Sequence, residues 1–461
     1  MFDLALTAFV ALMMLMGGRR PFIWVLTYLY VDIVSPQKMS WRFLQSVPIS
    51  LIAFVLAVMG WALLDNKKNS PFSLRQGLIL VLLIYCGLTT LSADFPTEAL
   101  DKWSWVWKSL LFGMFLPVTL RTRLRIEAAA LVMALSAGAI LLGGALKTLA
   151  SGGGYGMLHL FVADNTGLYE GSTLACVAVA IIPLIFWLGN HGTIFPANSK
   201  TRLFALGLAG AALLIPVGTE ARTGLVCAAV LAVLVLRTMR YRLLYLVAAP
   251  VVLVLAWPAL PSSFTKRMDL IQNNEADESA STRVAVWKWT IDYAMDHPMG
   301  GGFDSFRGNH ITVKTRNAKL GPDGRLQSVV IDETSDKARA FHSAYFELLG
   351  EQGWPGLILW LVLQIMGIVQ LEAMQHRLRG SKDPRDIADR ALAGALQQGQ
   401  IVYMVGANFV GIAYQPFIYM LIGLQIALVE QVRRRTRLGT GALERKMAVP
   451  GSGDPLPAGA A

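Results

Sequence analysis

Charge is what this sequence has least of. Only 15% of its 461 residues are Asp, Glu, Lys or Arg, against about a quarter in an ordinary soluble domain. With 54% hydrophobic residues and a mean hydropathy of +0.50, that scarcity argues against a soluble fold. Cysteine is nearly absent too. Cys86, Cys176 and Cys227 are an odd number, each in or beside an apolar stretch, with no Cys-x-x-Cys spacing. That excludes a disulfide framework and a zinc cluster. Asp-x-Asp and His-x-x-Glu-His are missing. The run Gly152-Gly153-Gly154 lacks the Gly-Lys-Ser/Thr of a phosphate loop and reads as a flexible connection. A cleavable leader is not expected either. The first apolar block has no basic start and no Ala-x-Ala site, and Arg19-Arg20 follows it.

Long apolar runs are what the sequence has instead. They fall at 3–17, 21–35, 44–64, 74–92, 106–120, 126–149, 171–189, 203–219, 223–237, 243–260, 354–373, 391–412 and 416–431. Runs near ~20 residues match the hydrocarbon thickness of a bilayer. The first two are short, and one of them suits the interface, so the reading is 12 or 13 spans. The expected fold is an all-α polytopic membrane protein with about 12 transmembrane helices and one large, helical extracytoplasmic loop.

The net charge of +11 would suggest nucleic acid in a soluble protein. Its distribution gives a different reading, with membrane lipids and no nucleic acid as partners. One set of alternate connections, with the tail, holds 24 Lys and Arg, from Arg19 to Lys446; the opposite short connections hold 6. The positive-inside rule puts the first set in the cytoplasm. The segment 261–353 then lies outside, together with 92–105, 151–170 and the turn at 219–222. This divides the chain into an N-terminal bundle (1–260), a large outer loop (261–353), C-terminal spans (354–432) and a Pro/Gly/Ala-rich tail (433–461) with the composition of a disordered segment. No fixed-period or inverted repeat of the transporter kind is visible.

Within the outer loop, Ser281-Thr282 before Arg-Val-Ala-Val-Trp-Lys-Trp reads as a helix start, ending at His297-Pro298 and Gly300-Gly301-Gly302. Arg283 would then sit in the first turn, where free backbone N–H groups and a guanidinium suit a phosphate; a solvated surface arginine is the plain alternative. A second helix is expected from about 336 to 352, capped by Ser335 and ended by Gly353. It would place His342, Tyr345, Phe346 and Leu349 on one face, with Arg339 a turn earlier. A histidine there is either a satisfied structural residue or a proton acceptor at the membrane edge. Arg222 opens a span from outside, against the charge bias. It either pairs with Glu220 or faces an anion. The acidic run Asp269, Glu275, Asp277 and Glu278 is either a cation site or a solvated stretch.

The stretch Phe341-His342-Ser343-Ala344-Tyr345-Phe346 through Glu351-Gln352-Gly353-Trp354-Pro355-Gly356 resembles the histidine motif of the bacterial O-antigen ligase and polymerase superfamily. Arg283 to Phe303 resembles its Arg-x-x-x-Trp helix and Gly-Gly-Gly-Phe turn. Ala221-Arg222-Thr223-Gly224 resembles its Arg-Thr-Gly span start, and Phe161 to Asn165 its outer Asp-Asn segment. Ala221 and Ser343 stand where that family commonly has Ser and Asn. The opening, through Ser35-Pro36-Gln37-Lys38-Met39-Ser40-Trp41, is similar to exosortase-associated O-glycosylation ligases.

The resemblance implies a GT-C-like membrane fold in the bacterial inner membrane with its active site facing the periplasm. It implies a glycosyltransferase without cofactor or metal that moves a glycan from undecaprenyl pyrophosphate to lipid A–core. An O-antigen polymerase or a protein O-oligosaccharyltransferase is the alternative within the superfamily. It implies His342 as general base, and Arg222 and Arg283, with Arg339 a weaker candidate, as the pyrophosphate holders. Tyr345 is a further substrate-binding candidate. Eleven Lys and Arg between Lys266 and Arg339 would suit an anionic acceptor. A lipid-linked glycan flippase is the reading from another class. It would account for the spans, but it leaves a ~90-residue outer loop unexplained and calls for mid-span titratable groups that are scarce here.

Overall fold

The computed structural model describes residues 2–67, 72–151, 166–237, 277–320 and 326–448. The apolar run at 243–260, the Asp-Asn segment at 161–165, and Asp269 and Glu275 of the acidic run lie outside them.

Helices dominate, as the apolar runs require. They are α1 (Phe2–Arg19), α2 (Phe22–Val34), the single turn α3 (Pro36–Met39), α4 (Ile49–Leu64), α5 (Leu74–Leu91), α6 (Pro96–Thr119), α7 (Arg123–Ser151), α8 (Gly171–His191), α9 (Ser199–Gly218) and α10 (Arg222–Leu236). After the undescribed stretch come α11 (Asp277–Asp296), the strands β1 (His310–Leu320) and β2 (Leu326–Lys337), then α12 (Ala344–Arg377), α13 (Pro384–Gly406) and α14 (Pro416–Ala448). Six of the described helices, α1, α5, α7, α8, α9 and α12, are long and apolar enough to cross a membrane, and α2, α4 and α10 are shorter apolar helices. The chain is a multi-pass membrane protein of all-α type.

Local chemistry explains several starts. Ser73 and Gln76 form a reciprocal capping box at α5. Asn198 caps α9 through the Thr201 N–H at 2.9 Å. Pro384 opens α13 behind an Asp383 cap. The most buried span, α8, packs against α7, α9, α10 and α13. Around the bundle, Leu15, Leu91, Leu146, Leu203 and Val369 are exposed, the apolar coat that lipid tails would cover. At one end the loop arginines are paired: Arg121 and Arg125 with Asp65 at 2.7 and 2.6 Å, and Arg123 and Arg435 with Asp389 at 3.4 and 3.0 Å.

The 261–353 segment differs from the helical loop read from sequence. It carries an antiparallel hairpin in which His310 faces Lys337 and Thr312 faces Ser335. Ser335 is therefore a strand residue and not a cap, and the second helix begins at Ala344, not near 336. Val329, Val330, Ile331 and Thr334 explain the switch, because β-branched side chains fit a pleated strand. Arg339 and His342 thus precede the helix. The first loop helix begins at Asp277, which moves Arg283 from the first turn to the second. Asp277 and Glu278 fit the positive end of the helix dipole better than Ser281-Thr282.

A glycine joint fastens this loop to α12. Gly301 and Gly302 donate their N–H groups to the carbonyls of Gly350 and Glu351 at 3.0 and 2.9 Å, and Trp354 donates to Pro298 at 3.0 Å. Within α12, Gly353 breaks the helix at φ 62, ψ −166. A Cβ there would lie 2.1 Å from the Pro298 carbonyl oxygen. Only glycine fits such a conformation at such an approach.

Candidate functional site

Above this joint lies a cavity of about 510 Å³. Its lining comes from α6, the strap before α8, α11, the segment before α12 and the turn before α14. It divides into a charged rim and an ionic floor.

The rim holds His342, Arg283 and Glu170. His342 sits at φ 48, in the left-handed region, which costs a side-chain-bearing residue of order 1–3 kcal/mol. Its neighbours hold it there. Phe341 is buried, and its carbonyl accepts from the Trp287 indole at 2.9 Å. Ala344 N–H donates to the Ala407 carbonyl at 2.8 Å, and Trp287 stacks on Phe346 with ring centres 4.8 Å apart. The result is an imidazole that is still accessible to solvent. Burial and the charge of Arg283 hold its pKa below the ordinary histidine value; Glu170 opposes this and Arg339 adds to it. A histidine so placed is neutral at pH 7 and can accept a proton.

Arg283 is half-buried on α11. Burial and the neighbouring charge of Arg222 lower its pKa, and Glu170 opposes them; an arginine stays protonated regardless. Arg222 is the first residue of α10, exposed, and just after Glu220 at φ 50. Among the described residues Arg222 has no ion pair, so the Glu220 pairing is not formed. The Arg222, Arg283 and His342 side chains make no hydrogen bond among the described residues. Arg283 and His342 line the cavity; Arg222 does not, and reaches Arg283 by charge. Unspent guanidinium donors beside an imidazole are groups of the kind that can meet an anion and take up a proton.

Two expected site residues are otherwise engaged. Arg339 gives its Nε and Nη2 to Asp336 at 2.9 and 2.6 Å, and its backbone to Asn309. It reaches His342 by charge but does not line the cavity. Tyr345 donates to the Met404 carbonyl at 2.9 Å and meets Trp360 edge-on. It packs α12 on α13 and does not line the cavity either.

Four residues of the site went unnoticed in the sequence. Glu170 caps α8, its carboxylate accepting from Ser172 N–H at 3.1 Å and Thr173 N–H at 2.6 Å. The floor is Lys102, whose Nζ lies 2.7 Å from both Glu347 and Glu351 and 3.8 Å from Asp304. Glu351 also accepts from the Asp304 N–H, and Glu347 from the Ala413 N–H. Such a buried charge is tolerable only when paired. Lys102 also lies over the rings of Phe303 and Tyr414. The available signal was the pair Glu347 and Glu351, one helical turn apart at the start of an apolar helix, which demands a cation from elsewhere.

No curated protein matches the chain. Residues 1–193 match a family model described as a family of unknown function (DUF5935). Residues 205–361, which hold Arg222, Arg283, His342, Glu347 and Glu351, match the family model described as O-Antigen ligase, and this supports the O-antigen ligase and polymerase superfamily and a glycosyltransferase-like enzyme.

Proposed function

We propose that this protein is an inner-membrane O-antigen ligase, transferring a glycan from undecaprenyl pyrophosphate to lipid A–core at a periplasmic site. The observation that carries this reading is the meeting of the neutral His342 with the unspent guanidinium of Arg283 over one cavity, with Arg222, outside its lining, acting on Arg283 by charge. The donor already has a good leaving group. Its demand is for charge stabilisation as the anomeric C–O bond breaks and the pyrophosphate departs with the electron pair. Two arginine forks meet that demand. The acceptor hydroxyl is a poor nucleophile until it sheds its proton, and His342 takes that proton as the new C–O bond forms. Attack opposite the leaving group inverts the anomeric centre. The protonated imidazole then returns its proton to water.

The test compares wild type, Arg222→Lys and Arg283→Lys on a lipopolysaccharide gel, beside an extract of carrier-linked glycan. Lysine keeps the charge and loses the planar fork. Both variants are expected to leave long glycan on the carrier and bare lipid A–core. Core bearing a single repeat would instead identify a polymerase. Unaltered core with glycan missing from a protein would identify an O-oligosaccharyltransferase. Transfer by purified protein is also expected to persist in excess EDTA. Activity abolished by chelation and restored by Mg²⁺ would refute metal independence.

A further inference from the structure

Glu170 presents a puzzle. The cavity that Arg283 and His342 line also holds a carboxylate at its rim. Among the described residues that carboxylate pairs with neither Arg222 nor Arg283; it accepts from the N–H groups of Ser172 and Thr173. It is also held firmly from behind. Thr166 is gripped by the Lys38 ammonium, at 3.2 Å to its carbonyl and 2.5 Å to its hydroxyl, and the Tyr169 hydroxyl donates to the Val34 carbonyl at 2.5 Å. The strap 166–170 is thereby tied to the corner between α2 and α3, and Glu170 is a fixed negative charge.

The charges facing His342 come from three directions. Arg283 on α11 and Arg339 behind β2 repel an imidazolium. Glu170 at the start of α8 attracts one. Arg222 stands beside Arg283. A base surrounded only by arginines would be too weak to take a hydroxyl proton, because basicity falls with every nearby cation. We propose that Glu170 is a positioning residue of the transfer reaction, a fixed counter-charge that keeps His342 basic enough to work beside the arginines that hold the anion. Both its oxygens accept from the α8 backbone, so it acts on His342 and Arg283 through its charge and occupies no guanidinium donor. This inference rests on the ligase reading for its meaning in catalysis, but its electrostatic core is testable without substrate.

The measurement is the rate of carbethoxylation of His342 by diethyl pyrocarbonate, followed across pH by peptide mass spectrometry on the full-length protein in detergent. The reagent attacks only the neutral imidazole. In Glu170→Gln, whose amide oxygen can keep one of the two backbone contacts while the charge is lost, the half-maximal pH is expected to move down. At mildly acidic pH the reaction should quicken about three- to tenfold, the effect of one nearby charge. Glu170→Asp, which keeps the charge, should stay close to wild type. A purely structural cap would weaken the fold in both variants without an ordered shift in this profile. In the transfer assay, Glu170→Gln should lower kcat about three- to tenfold and move the acid limb the same way, with donor KM unchanged or lower. An unshifted carbethoxylation profile in a folded Glu170→Gln protein overturns the proposal. Should Glu170→Gln not fold, a Glu170→Asp profile that shifts as far as ten-fold acceleration overturns it equally. A shifted profile without any transfer by wild type would leave Glu170 in place and reject the ligase reading instead.

Discussion

At residue scale, His342 is defined as much by its backbone as by its ring. Its left-handed φ of 48 takes it off the helix that the periodicity of Tyr345, Phe346 and Leu349 suggests, and turns the imidazole toward the cavity. The motifs drew attention to His342, Arg283 and Arg222, and the structure brings them within electrostatic reach of one another, Arg283 from inside a helix rather than at its start. They did not reveal that Arg339 and Tyr345 are spent elsewhere. Glu170 was hidden because a carboxylate at the end of a polar connection looks like solvated surface until the helix it caps is known. His342→Ala is expected to leave expression intact and to cost ~10²–10⁴-fold in transfer. Near-normal product from the folded variant would refute the general-base role. The direction of its pKa adds a second expectation. Burial and Arg283 lower it, so the imidazole stays neutral at pH values below its ordinary titration point near ~6.5, and activity falls only at more acidic pH. A pH–rate profile whose acid limb lies above that point would contradict this.

At the scale of elements, the joint between the glycine turn and α12 sets the site's geometry. Sequence placed a helix end at Gly353, and the helix is indeed broken there, yet it continues beyond through Trp354 to Arg377. The early start of α11 and the strand β2 were misread for the same reason. Local propensity was weighed for one element at a time, whereas the pairing of β1 with β2 is a long-range choice. Gly353→Ala forces a Cβ to within 2.1 Å of the Pro298 carbonyl in a φ region closed to alanine. The cost is expected to exceed the ~1–3 kcal/mol of an ordinary strained residue. Thermal unfolding in detergent should show a clear drop in midpoint, with transfer reduced in whatever folds, because the joint ties the glycine turn after α11 to the start of α12, which carries Glu351. An unchanged midpoint would show that α12 relaxes without harm.

At the scale of the whole molecule, the charge asymmetry of the connections predicts sidedness, and the fold places its test positions. Lys337 and Ser381 lie in opposite predicted compartments, and Lys337 is exposed. Asn309, in the same outer segment, is buried and makes a poorer reporter. In a variant lacking Cys86, Cys176 and Cys227, Lys337→Cys should react with an impermeant thiol reagent in intact spheroplasts, and Ser381→Cys only after permeabilisation. Labelling of Ser381→Cys in intact cells would invert the orientation. The helical, multi-pass character was legible because bilayer thickness imposes itself on composition. The span count was not read as securely, since α6 and α13 carry polar turns inside otherwise spanning lengths and the run at 243–260 lies outside the described residues.

The ionic floor joins residues from both matched stretches. Lys102 lies in the stretch that matches the family of unknown function, and Glu347 and Glu351 lie in the O-Antigen ligase stretch. Exchanging either stretch alone therefore breaks this ion cluster unless the incoming stretch restores it. A foreign N-terminal half without a cation at this position would strand two buried carboxylates in its new partner. A chimaera that joins the two stretches from different proteins is expected to fold only where a cation stands at position 102 or Glu347 and Glu351 are changed with it.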